Sequence, residues 1–189
     1  MFSIVLFGAP GAGKGTQSKK LVEKYDLTYI STGEILRKEI AEGTPIGLKA
    51  KDIINRGELV TDELIVNIIE KTLRDSHSKG ILFDGFPRNV VQAYILEGLL
   101  HRINSRLLCV LSLDVPRDIL VKRMLNRAKL EGRTDDKEDV IMNRFKEYDN
   151  KTLPVADFYK QEGLFYPICG TEELDQVFTS LTNVIDSKL

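Results

Sequence analysis

The apolar run Ile4-Val5-Leu6-Phe7 leads directly into Gly8-Ala9-Pro10-Gly11-Ala12-Gly13-Lys14-Gly15-Thr16, and an amphipathic helix pattern follows. No other stretch constrains the fold as strongly, because strand, glycine-rich turn and helix arrive in a fixed order. Glycines at 8, 11 and 13 allow positive φ and let the backbone approach a ligand with no Cβ in the way. Their N–H groups, together with the N-terminus of the next helix, make a cradle for an anion. Lys14 adds a compact charge on a long stem, suited to following a phosphoryl group. Thr16 offers a hydroxyl to phosphate or metal. Gly15 stands where Ser or Thr follows the lysine in the general pattern, so the hydroxyl is displaced by one residue. The spacing predicts a phosphate-binding loop rather than a plain turn.

The rest of the chain repeats the strand-then-helix alternation. Strands are expected at 1–7, 27–30, 81–83, 107–113 and 164–169, apolar enough to be covered on both faces. Helices are expected at 17–25, 32–41, 46–55, 61–75, 89–100, 116–128, 137–160 and 173–186, the long one kinked at Leu153-Pro154. Ser31-Thr32-Gly33-Glu34 is a capping sequence, and the helices between 32 and 60 read as an insertion able to move as a flap. Residues 130–136 read as a short connection. The sum is an α/β three-layer domain whose ligand site lies at the C-terminal ends of the strands.

Two further stretches bear on chemistry. Asp84-Gly85-Phe86-Pro87-Arg88 follows a short apolar strand, which puts the Asp84 carboxylate at the ligand edge of the sheet, where it can order the waters of a Mg²⁺ ion. Arg123 and Arg127 sit four apart on one helix and repel mildly, so an anion should offset them. No serine or cysteine is flanked by a histidine fit for catalysis, and His77 and His101 read as surface residues at helix ends.

Composition narrows the partners. The 189 residues carry a net charge of −1, so no global field draws nucleic acid or an anionic membrane. The first apolar run ends at Phe7, too short for a signal segment or a membrane span, and the expectation is a cytoplasmic protein. Cys109 and Cys169 lie in apolar runs and are expected to be buried free thiols, and with no paired cysteine motif a structural zinc site is not expected.

The chain resembles the short-lid adenylate kinases of the nucleoside monophosphate kinase family from end to end. The likeness rests on Gly8 to Gln17, Ser31-Thr32-Gly33 with Arg37, Asp84 to Arg88, and Gly132-Arg133 with Asp135-Asp136. In that family Gly15-Thr16 is the usual ending of the loop. The resemblance implies a five-stranded parallel sheet in the order 2-3-1-4-5 and a single P-loop kinase domain over 1–189, with a monophosphate-binding insertion at 31–60 and a short lid at 126–136. It implies the reaction ATP + AMP to two ADP with Mg²⁺ as cofactor, in a monomer that binds neither nucleic acid nor membrane. ATP would be held by Gly11, Ala12, Gly13, Lys14, Gly15, Thr16, Arg123, Arg127 and Gly170. AMP would be held by Thr32, Gly33, Arg37, Glu58, Leu59, Val60, Gly85, Phe86, Pro87, Arg88, Gln92, Arg133 and Arg144. Lys14, Arg88, Arg127, Arg133 and Arg144 would act on the transferred phosphoryl group. Only five residues separate Arg127 from Arg133, which leaves no room for the long zinc-bearing lid of other members.

A UMP/CMP kinase shares the loop, the short lid and the Asp-Gly-Phe-Pro-Arg run; Thr32 and Gln92 favour adenine. A GTPase-like switch is the other alternative, but Asn150-Lys151 lacks the aspartate of a guanine-reading motif.

Overall fold

A computed structural model describes residues 1–74 and 78–189. Five parallel strands, β1 (Phe2–Phe7), β2 (Leu27–Ser31), β3 (Gly80–Asp84), β4 (Arg106–Asp114) and β5 (Phe165–Cys169), lie in the order β2-β3-β1-β4-β5. This is the order that the family resemblance implies, and the parallel pairing is what the alternation of strand and helix patterns predicts. The helices are α1 (Lys14–Tyr25), α2 (Thr32–Ala41), α3 (Pro45–Asn55), α4 (Asp62–Arg74), α5 (Val90–Arg102), α6 (Arg117–Glu131), α7 (Glu138–Glu147), α8 (Leu153–Gln161) and α9 (Leu174–Asp186).

Alternate residues of the central strand point to opposite sides and seed two cores. Val5 and Phe7 join Ile69 of α4, Leu96 of α5 and Tyr159 of α8 on one face. Ile4 and Leu6 join Leu21 of α1, Met124 of α6, Phe145 of α7 and Leu181 of α9 on the other. Both faces are therefore covered, which is why the strands read as nearly continuous apolar runs. Ser3 breaks the run at no cost, because its hydroxyl pairs with that of Ser105 at 2.8 Å.

Several boundaries differ from the sequence expectation for identifiable reasons. Helix α1 starts at Lys14 rather than Gln17, because Gly13, at φ 98°, takes the N-cap position and the loop turns directly into the helix. Helix α6 runs through Glu131, so only Gly132 to Lys137 forms the connection, with a single 3₁₀ turn at Thr134–Asp136. The expected 137–160 helix is two helices joined by a π-turn at Tyr148–Thr152, and Pro154 lies in the first turn of α8, where its missing N–H is harmless. Cys109 is buried, and burial pushes its thiol up to about 12. Cys169 is exposed, contrary to expectation, because it ends an edge strand and points away from Ile168, which faces the core. Its sulfur lies 3.2 Å from the Thr171 hydroxyl, a contact that lowers its pKa. His101 is exposed at the end of α5, whereas His77 and Asp75 fall outside the described residues.

Register aligns the functional segments along one edge. Leu6 and Ser31 both pair with Asp84, Phe7 pairs with Ser112, and Asp114 pairs with Cys169. The glycine loop, the start of α2, the Asp84-Gly85 turn and Gly170 consequently share the C-terminal rim of the sheet. No helix among the described residues is long and apolar enough to cross a membrane.

Candidate functional site

Two adjoining cavities open on this rim. The larger, of about 590 Å³, is lined by the loop from Pro10 to Thr16 and by Asp84, Arg123, Arg127, Arg133 and Gly170. The smaller, of about 130 Å³, is lined by Thr32, the Glu58-Leu59-Val60 segment, Gly85 to Arg88 and Gln92. Lys14, Gly33, Arg37, Arg88 and Arg144 line both. All of the residues assigned to ATP fall on the larger cavity, and those assigned to AMP fall on the smaller one except Arg133, which lines the larger.

The loop is built for an anion. Gly13 caps α1 with no side-chain hydrogen bond, so the positive end of the helix faces the larger cavity without a capping oxygen in front of it. Lys14 folds back, its Nζ donating to the carbonyls of Gly8 at 2.7 Å and Ala9 at 3.1 Å. Burial lowers its pKa to about 8, against the attraction of Asp84, which raises it. Arg123 donates to the carbonyls of Ala12 at 3.3 Å and Gly170 at 3.0 Å, tying α6 to the loop and to the end of β5.

The Asp84 to Arg88 turn positions three groups at once. Gly85, at φ 76°, has its carbonyl free to accept from Thr32 Oγ1 at 2.8 Å and Arg88 Nε at 2.7 Å. A Cβ on residue 85 would stand 2.8 Å from both Arg88 Nη2 and Thr32 Oγ1, so only glycine fits. The Phe86–Pro87 bond is cis, and Thr152 of the π-turn donates to the Arg88 carbonyl at 2.8 Å. Burial pulls the pKa of the Arg88 guanidinium down, while Asp84 and Asp135 oppose the shift.

Asp136 offsets one of the two arginines of α6, Arg127, whereas Arg123 meets only backbone carbonyls. Arg127 grips Asp136 with Nε at 2.6 Å and Nη2 at 2.8 Å, and Arg144 of α7 donates to the same Oδ1 as Arg127 Nη2, at 2.7 Å. Asp135 in turn holds Arg133 in a two-pronged pair at 3.0 and 2.8 Å and accepts from Arg144 at 3.0 Å. Burial works to raise the Asp135 carboxyl, but the Arg133 hydrogen bonds and the charges of Arg144 and Arg133 outweigh it and hold it well below the carboxylate range. Burial also brings Arg144 down to about 10. Three guanidinium groups thus face two carboxylates, leaving positive charge in excess in a poorly hydrated place. A phosphate entering there relieves that strain.

Asp135 and Asp136 stand out in the sequence only as part of the Arg-x-Asp-Asp run, and their pairing with the arginines appears only in the structure. The signal for it is that run next to a helix carrying two arginines. Tyr29 has no such signal, yet its hydroxyl donates to Asp84 at 3.0 Å and burial suppresses its acidity.

Arg123 with Gly170 at one end, the capless helix in the middle and Arg127 with Arg133 at the other line one cavity whose cations and free N–H groups suit an extended anion. The adenylate kinase family model matches residues 6–164. The chain is 43% identical to an adenylate kinase of Phocaeicola vulgatus over 187 residues, covering 98% of this chain and 99% of that one. It is 42% identical to one of Bacteroides fragilis over 188 residues, covering 99% and 100%, and 42% identical to one of Xanthomonas euvesicatoria over 183 residues, covering 96% and 98%. By its sheet order, its glycine loop and its likeness to these relatives over nearly its whole length, the chain belongs to the adenylate kinase family.

Proposed function

We propose that the protein is a monomeric, cytoplasmic ATP:AMP phosphotransferase that interconverts ATP and AMP with two ADP and so balances adenine nucleotides. The observation that carries this reading is the wall common to the two cavities, where Lys14, Arg37, Arg88 and Arg144 each face both sides. Two anionic ligands meeting across a line of cations is the arrangement that transfer of a phosphoryl group between them requires.

In this reading the larger cavity takes ATP and the smaller takes AMP. The backbone from Gly11 to Thr16 holds the ATP phosphates, Arg123 and Arg127 close on ATP from the lid side, and the Gly170 backbone passes near the donor base. Thr32, Arg37, Gln92 and the extended Glu58 to Val60 segment hold AMP. The loose transition state gains little from acid or base help and much from positive charge around its equatorial oxygens, which Lys14, Arg88, Arg127, Arg133 and Arg144 supply. Arg127 and Arg133 belong to the short lid at 126–136, and the insertion at 31–60 is the opposite flap. Closure of the two excludes water, the competing acceptor.

The residues fit a hydrated magnesium ion. Among the described residues no group of three or more His, Cys, Asp or Glu is placed to hold a metal, yet Asp84 stands on the larger cavity together with Thr16. A lone carboxylate beside a phosphate cradle suits an ion that keeps several waters and takes its other ligands from the substrate. When bound with ATP, Mg²⁺ supplies further charge neutralisation at the phosphate oxygens.

Turnover with ATP as donor and AMP, CMP or UMP as acceptor tests the assignment. AMP should be fastest. A faster pyrimidine would make the protein a UMP/CMP kinase, and no transfer to any monophosphate would return it to the switch proteins.

A further inference from the structure

Gln92 is 2% exposed and lines the smaller cavity, and each end of its amide is already tied on one side. Its Nε2 donates to Asp62 Oδ1 at 2.8 Å, and its Oε1 accepts from the Arg88 backbone N–H at 2.7 Å. Asp62 is the first residue of α4, thirty positions away in the chain, and the same Oδ1 accepts from Asn89 Nδ2 at 2.9 Å. Asn89 in turn caps α5, accepting from the Gln92 N–H at 2.7 Å. A carboxylate only accepts and a backbone N–H only donates, so this pair of contacts permits a single orientation of the amide.

An amide carries two N–H donors and two carbonyl lone pairs. With one of each used, Gln92 has one donor and one acceptor left for a ligand in the smaller cavity. That pattern matches a base with a ring nitrogen acceptor next to an exocyclic amino group, as in adenine. A 6-oxopurine reverses both groups, presenting N–H to the donor and C=O to the acceptor.

We propose that Asp62 is a positioning residue that fixes the facing of the Gln92 amide and thereby makes the acceptor pocket read an amino base over its oxo counterpart. The inference deepens the reading of the smaller cavity as the AMP site and rests on it. Asp62 does not line either cavity, so its effect passes through Gln92. Removing it frees the amide to turn over at the loss of one remaining hydrogen bond, and the discrimination falls.

Steady-state kinetics with ATP and either AMP or IMP, which differ in this one edge, test the proposal on wild type, Asp62→Ala, Asp62→Ser, Asp62→Asn and Gln92→Ala. For Asp62→Ala we expect the KM for AMP to rise about tenfold and the AMP-to-IMP ratio of kcat/KM to fall about tenfold, the size of one charge-assisted hydrogen bond. The KM for ATP and kcat should stay within about threefold. Asp62→Ser keeps a polar side chain in the first turn of α4 but is too short to reach Gln92, and should behave like Asp62→Ala even if the alanine variant folds poorly. Asp62→Asn keeps the accepting Oδ1 and should retain the wild-type ratio. An unchanged ratio in Asp62→Ser, or both KM values rising together with a lower Tm, would reduce Asp62 to a structural residue and overturn the proposal. An unchanged ratio in Gln92→Ala would instead overturn the placement of the base against Gln92.

Discussion

Arg127 and Asp136 meet through two hydrogen bonds, 2.6 and 2.8 Å long, although Asp136 is fully buried and Arg127 is not. The carboxylate is thus a fixed, dry point, and it holds the arginine on the wall of the larger cavity. Truncating Asp136 leaves Arg127 without its carboxylate partner and Arg144 with Asp135 alone, in a partly dry site. We expect Asp136→Ala to cost about 3 kcal/mol, the lower end for breaking a buried pair because Arg127 is partly hydrated. Urea unfolding of the ligand-free protein checks this; a loss below about 1 kcal/mol would mean that water replaces the carboxylate freely.

Asp135 makes stability depend on acid. Its folded pKa lies below the unfolded value of about 3.9, so its contribution is complete above that pH and is lost as pH falls toward the folded value. Asp135→Asn has no proton to take up. The stability gap between wild type and this variant should narrow as pH drops from about 5 to about 2.5. Denaturation midpoints at several pH values measure it, and a constant gap would rule the effect out.

Arg88 is held by its own turn, through Nε to the Gly85 carbonyl, rather than by the core. Arg88→Ala should therefore lower kcat by about 10³ to 10⁵, as for transition-state arginines generally, with little change in the unfolding transition. A variant that keeps near-normal kcat would remove Arg88 from the phosphoryl site.

Tyr159 is fully buried, and its hydroxyl has no partner among the described residues. Removing an unpaired buried oxygen relieves a desolvation penalty, so Tyr159→Phe should stabilise the protein by about 1 kcal/mol without altering kinetics. Calorimetry decides the matter; a lower Tm would show that the hydroxyl is satisfied in solution.

Much of this was legible in the chain because the signals are local. The glycine loop, the strand before Asp84 and the Ser31 cap each declare themselves within a few residues, and the alternation of strands and helices points to a parallel sheet, whereas its order is legible only through the family resemblance. What escaped depends on distance or on an edge. Asp62 and Gln92 are separated by a helix and a strand, and nothing in either neighbourhood announces the pairing. Cys169 reads as apolar until the sheet order makes its strand the last one. Arg127, Arg133 and Arg144 were visible, and Asp135 and Asp136 stood in a recognisable run, but nothing local says which carboxylate pairs with which arginine.

The π-turn at Tyr148–Thr152 joins a helix seated on one core, through Phe145, to a helix seated on the other, through Val155. Each residue of an α-helix advances the side chains by about 100°, so the wider turn sets the phase between the two seats. The chain between Arg144 and Val155 is accordingly a measured length. Substitutions there keep the count, but deleting one residue would rotate every later side chain relative to Arg144. Either the arginine would leave the cleft or Val155, Ala156 and Tyr159 would leave their core. What the turn contributes to the fold is its number of residues, beyond the contact that Thr152 makes with Arg88.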